Sequence, residues 1–246
     1  MMLGPLKVLF LIYCIYRCLV APVAAQVSKR RSKIQPVSPV GGKRYSAAIT
    51  YSIAFAGIAL VTAFKERIPV FGSFHLNLNV VLLAAAFLIV SLAWARLEWT
   101  LTPMDRKLRS WNFLPHTPIE RVAWVPISLV VGSCEEIVFR GVLFGIVFQV
   151  TGSYWMAGLV SAILFALMHL ATGLLSVVSL VGVAIGLQWL VQLSGGLHIA
   201  IAVHFVYNAV NGIVYGAGAL PEAAKQQHML VAQLQASSPL DDPPER

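Results

Sequence analysis

The chain has 246 residues, 58% of them hydrophobic and only 11% charged, with a mean hydropathy of +0.78. Soluble domains average about 45–50% apolar and about 25% charged residues, so these few charges do not coat a water-soluble body of this size. An ordinary cytosolic enzyme, a disordered chain and a nucleic-acid module are excluded. The net charge of +8 is explained by where the basic residues lie. Cys14, Cys18 and Cys134 all sit in apolar runs, which excludes a disulfide framework and a CxxC metal site.

Residues 1–25 hold the apolar run VLFLIYCIYRCLVAPVAA, interrupted by Arg17 and Pro22. It reads as a signal peptide cut near Ala25 or as a further spanning helix, and a retained anchor is the expectation. Residues 26–44 are basic, with Lys29, Arg30, Arg31, Lys33, Lys43 and Arg44 and no acid. Residues 45–121 contain two apolar runs, 45–64 and 78–95, and then a basic loop with Arg96, Arg106, Lys107, Arg109 and Arg121. Four more runs follow in 122–219, at 122–150, 154–171, 174–193 and 197–219, with brief links between them. The tail 220–246 is polar and Pro-rich, a composition expected to be disordered.

A spanning helix needs about 20 mostly apolar residues. The runs are continuously apolar, without the period-2 alternation of a membrane barrel. The expected fold is therefore all-α, a polytopic transmembrane bundle of six or seven spanning helices. The loop between the first two runs carries only Lys65 and Arg67 as basic residues. The positive-inside rule then puts 26–44, 96–121 and the tail on the cytoplasmic side. Membrane lipids are the expected partners of this charge, and nucleic acid is not. Glycine pairs four apart, Gly141 and Gly145, Gly182 and Gly186, Gly212 and Gly216, predict close helix packing.

Ionisable groups are costly in lipid and usually face the bundle interior with a partner or a task. Between Val122 and Leu220 they are Glu135, Glu136, Arg140, His169, His198 and His204, with Asn208 and Asn211 as uncharged companions. Glu136 and Arg140 are four apart and share a helix face, so they are expected to pair. Glu135 lies about 100° round the helix and is expected to remain free, suited to general-base work; an inert ionic knot of all three is the structural alternative. His204 and Asn208 share a face, His169 follows Phe165 by one turn, and His198 is expected to be structural. Together, a free carboxylate, two imidazoles and a carboxamide on three helices supply a base, a proton shuttle and oxyanion donors. A carboxylate with two imidazoles also suits zinc with an open position. Cys134 and Ser133 are poor nucleophile candidates: no fixed cation adjoins the thiol, and the serine lacks a GxSxG elbow.

The segments Glu135-Glu136-Ile-Val-Phe-Arg140, Phe165-Ala-Leu-Met-His169 and His204-Phe-Val-Tyr-Asn208 resemble the EExxxR, FxxxH and HxxxN motifs of the CAAX protease and bacteriocin-processing family of intramembrane proteases. The resemblance covers about residues 122–215. It implies an intramembrane endopeptidase of glutamic type acting on a membrane-associated or lipidated peptide. It further implies that Glu135 activates water with help from His169, that His204 and Asn208 form the oxyanion site, and that Glu136 and Arg140 support them. No cofactor is expected, zinc being the alternative, and the expected location is multi-pass in a bacterial plasma membrane. A catalytically silent scaffold or immunity protein of the same fold is a competing reading, as is a small proton-relaying transporter. All motif residues are kept, against the first; no inverted repeat is visible, against the second.

Overall fold

The computed structural model describes residues 4–24, 42–111 and 113–217, together with 226, 229, 230 and 233. Most of the basic segment 26–44 and of the tail 220–246 lies outside the described residues. The described residues form a helical bundle in which six helices are long and apolar enough to cross a membrane, as their composition requires. Helix α1 (Pro5–Ala24) starts with Pro5 in its first turn and buries Phe10, Cys14 and Cys18. These three lie at four-residue spacing, hence on one stripe, and pack in one core with Phe55, Ala59 and Ala63 of α2 (Gly42–Glu66). Lys7 and Glu66 pair across the two helices at 3.4 Å. Residues 5–24 are thus a helix packed into the bundle.

Helix α2 ends on Arg67 at φ 53, after which Ile68 N–H returns to the Ala63 carbonyl at 2.9 Å, a left-handed helix stop. The following loop folds back onto the bundle. Gly72 bridges to Gly196, and His75 N–H donates to the Ser194 carbonyl at 2.8 Å. Helix α3 (Leu78–Leu101) is capped by the Asn77 side chain. Next comes α4 (Met104–Trp111), a short amphipathic helix inside what the sequence presented as a basic loop.

Helix α5 (Pro118–Thr151) opens with a capping box between Thr117 and Glu120. Its 34 residues rise about 51 Å, well beyond a hydrocarbon core of about 30 Å. Residues Ile137–Leu143 inside it wind as a π-helix. After a turn at Gly152 (φ 66) comes α6 (Tyr154–Met168). Here the expected span 154–171 needs correction: the helix has 15 residues, rising about 22 Å, too short to cross alone. The apolar pattern continues into a 3-10 turn at Leu170–Thr172, and Gly173 at φ 118 redirects the chain. Helices α7 (Leu174–Ser194) and α8 (His198–Ala217) complete the bundle.

The small residues do not all serve helix pairs. Gly212 faces the Trp124 indole of α5, and Gly186 faces the Phe87 ring of α3. Gly141 and Gly145 instead receive Val70 and Ile68 of the α2–α3 loop, and Gly182 meets no neighbour. Gly132 is the point where α5 and α8 touch, with His204 and Asn208 across from it.

Candidate active site

The π stretch begins one residue after the paired glutamates. A π turn withdraws a carbonyl from the regular ladder and is common at functional sites. Here Ser161 of α6 donates to the Phe139 carbonyl at 2.6 Å, so the backbone stays satisfied in a buried setting. Phe139 stacks edge-on against both Phe55 and Phe165, fixing α2, α5 and α6 around the site.

Glu136 is fully buried, and its Oε1 takes the Arg140 guanidinium at 3.1 Å. This is the expected pair. The same oxygen accepts a hydrogen bond of 2.6 Å from His204 Nδ1, a partner that helix periodicity in α5 did not suggest. The other ring nitrogen of His204, Nε2, lies 3.5 Å from Glu135 Oε2. The expectation of an unpartnered Glu135 is therefore corrected. The two glutamates point to different sides of α5, yet an imidazole carries nitrogens on opposite edges, so one ring from α8 reaches both. Arg140 also lies over the Phe165 ring, 4.4 Å from its centroid, which compensates part of the cost of a buried cation.

His169 caps the C-terminal end of α6. Its Nδ1 lies 3.1 Å from the Phe165 carbonyl, which only accepts, so Nδ1 carries the hydrogen and the neutral ring bears its lone pair on Nε2. Thr172 holds the His169 carbonyl through its hydroxyl at 2.7 Å. Phe165 stands beside both histidines, with ring centroids 5.0 Å from His169 and 6.0 Å from His204. Asn208 is anchored through its backbone carbonyl, which accepts from Trp124 Nε1 at 3.0 Å.

Glu135, His169, His204 and Asn208 all line one cavity of about 390 Å³. Its remaining wall is largely apolar, from Phe87, Leu180, Leu187 and Val203 among others. Along α5 the lining runs from Trp124 to Glu135, eleven residues or about 16 Å of helix. Glu136 and Arg140 do not line it; they stand behind His204. His198 packs on Phe74 in the far turn, outside the site as expected. Tyr207, hydrogen-bonded to Asn211, also lines the cavity. Sequence reading noted Asn211 but missed Tyr207, although a tyrosine four residues before an asparagine in a polar stripe signals such a pair.

Among the described residues no three His, Cys, Asp or Glu side chains are grouped to hold a metal ion.

Fold and site together define an integral membrane protein of packed helices, with a Glu-Glu-Arg-His centre at one end of a mostly apolar cavity. Within it, residues 117–210 match the family model of the Rce1-like type II CAAX prenyl endopeptidases. The matched segment runs from the start of α5 into α8 and contains all three motifs; α1, α2 and α3 lie outside it. The match bears out the resemblance carried by the motifs and supports a protease of this general class. No curated protein and no solved structure gives a significant match to the chain.

Proposed function

We propose that this protein is an intramembrane endopeptidase that hydrolyses a peptide bond in a membrane-associated or lipidated substrate, without a metal. The reading rests on one observation above all. A carboxylate, two imidazoles and a carboxamide from three helices share the wall of a single, mostly apolar cavity. Glu135 takes a proton from water, with His169 Nε2 orienting the water, and the oxygen bonds to the scissile carbonyl carbon. The negative oxygen that results accepts hydrogen bonds from His204 Nε2 and the Asn208 amide. Collapse breaks the C–N bond as the abstracted proton passes to the leaving amine, leaving a carboxylic acid and a free amine. In this step both ring nitrogens donate, Nδ1 to Glu136 and Nε2 to the oxyanion. Glu136 and Arg140 act by holding that ring.

The apolar walls suit a prenyl or acyl chain attached to the peptide, and a bacterial plasma membrane is the proposed setting. The test is turnover of a fluorogenic prenylated peptide by purified protein in lipid nanodiscs. E135Q is expected to lower kcat by about 10²–10⁴-fold, the usual contribution of a general base, while membrane insertion is unchanged. Undiminished turnover in E135Q would falsify the assignment. Full activity after chelation is the expected companion result, and loss restored by added zinc defeats the metal-free mechanism.

A further inference from the structure

A second cavity, of about 240 Å³, lies between α1, α2 and α5, and Glu135 lines it as well as the first. Ala48 and Val131 are also common to both, so these three residues form a partition with the carboxylate set in it. Arg17, Tyr51, Ser52 and Cys134 join Glu135 in the wall of the second chamber. Its volume is several times the roughly 30 Å³ share of a water molecule, and it offers the two to four polar partners that an ordered water requires.

Arg17 explains part of this arrangement. A cation in an apolar helix is expensive and calls for partners. Tyr51 provides two: its hydroxyl accepts from Arg17 Nε, and its ring lies under the guanidinium at 4.0 Å. Those contacts occupy one edge and one face of the guanidinium. The side chain nevertheless belongs to the chamber that holds Glu135, and it is carried by the π stretch Tyr16–Val20 of α1. Hydrolysis imposes a matching demand. Each peptide bond broken consumes one water at Glu135, while an apolar substrate filling the first cavity expels water from that side.

We propose that the second cavity is a hydration chamber delivering the hydrolytic water to Glu135 from the side away from the substrate, with Arg17 as the positioning residue for that carboxylate. The inference rests on the protease reading above. It also makes α1, which lies outside the family match, a working part of the enzyme.

The test uses Cys134, the thiol in the chamber wall. Full-length protein in nanodiscs is treated with a small, charged methanethiosulfonate reagent. Cys134 is expected to be modified, while Cys14 and Cys18, with no exposed surface, are not. The adduct fills the chamber without a mutation, so kcat is expected to fall about tenfold or more with KM unchanged, a loss of positioning rather than of binding. C134S is expected to resist the reagent, its turnover being the same before and after treatment. R17Q is expected to lower kcat with KM unchanged, and R17K to recover most of it, which a purely structural role does not predict. An unmodified Cys134, or turnover indifferent to its modification, overturns the chamber; wild-type kcat in R17Q overturns the role of Arg17. If the wild type shows no turnover at all, the protease reading fails instead, and labelling of Cys134 still decides whether the chamber is wet.

Discussion

At the scale of single residues, the site is organised around His204 rather than around either glutamate. Its ring joins a fully buried ion pair to the more accessible Glu135, whose side chain is 15% exposed. The two glutamates are adjacent in sequence, yet their substitutions are expected to behave differently. E136Q removes the counter-charge of buried Arg140 and leaves His204 Nδ1 an amide oxygen in place of a carboxylate. Breaking one partner of a buried pair costs about 3–5 kcal/mol, so a large drop in melting temperature and in folded yield is expected. E135Q strands no buried cation and is expected to melt near the wild type. Replacing the pair together, as E136L with R140M, is expected to restore part of the melting temperature without restoring turnover, because apolar pairs often substitute for buried ions at no cost while His204 Nδ1 still lacks its acceptor. Thermal unfolding in nanodiscs measures all three, and equal melting of E135Q and E136Q counts against this division. The Glu136–Arg140 pair was legible because both residues lie on one helix at a fixed spacing. The bonds from His204 to the two glutamates were not, since they depend on how α8 packs against α5 at Gly132.

At the scale of elements, the irregular windings carry the placement of the site. The π stretch in α5 and the early end of α6 put Glu135 and His169 against one cavity, and neither feature was visible in the apolar pattern. A stretch that is apolar on every side keeps the same composition whether it winds with i→i+4 or i→i+5 bonds. In α6 the apolar run continues through Leu170 and Ala171, so hydropathy overran a helix that stops at Met168. Helix α4 was missed for the opposite reason, being polar enough to resemble a loop. The long spans α2, α3, α5, α7 and α8 were legible, because about 20 apolar residues in lipid admit little but a helix. Ser161 adds a side-chain donor to the π stretch. S161A removes one of the two donors of the Phe139 carbonyl, the Phe144 N–H being the other, a loss of about 0.5–1.5 kcal/mol. The expected result is lower stability in a denaturant titration, with turnover reduced as well because the carbonyl lies between Glu136 and Arg140 in the chain. Wild-type stability in S161A means that the winding does not depend on this bond.

At the scale of the whole molecule, the described helices divide the links into two sets on opposite faces. The α2–α3 loop meets the α7–α8 turn, through Gly72 with Gly196 and His75 with Ser194. The α3–α5 connection meets the α6–α7 turn, where Arg106 lies over Gly173. Basic residues are concentrated on the second face, with Arg96, Arg106, Lys107, Arg109 and Arg121 there against Lys7, Lys65 and Arg67 on the first. By the positive-inside rule the second face is expected to be cytoplasmic. Single cysteines in a C134S background test it in intact cells. Leu76→Cys, at a position 59% exposed, is expected to react with an impermeant maleimide added outside; Ile119→Cys, at one 80% exposed, reacts only after permeabilisation. The reverse pattern inverts the molecule. The orientation bears on the proposed function because the larger cavity runs from Glu135 toward Trp124, near the start of α5 and so toward the basic face. A lipidated peptide supplied on the cytoplasmic side of oriented vesicles is therefore expected to be cleaved, and the same peptide confined to the other side to be spared.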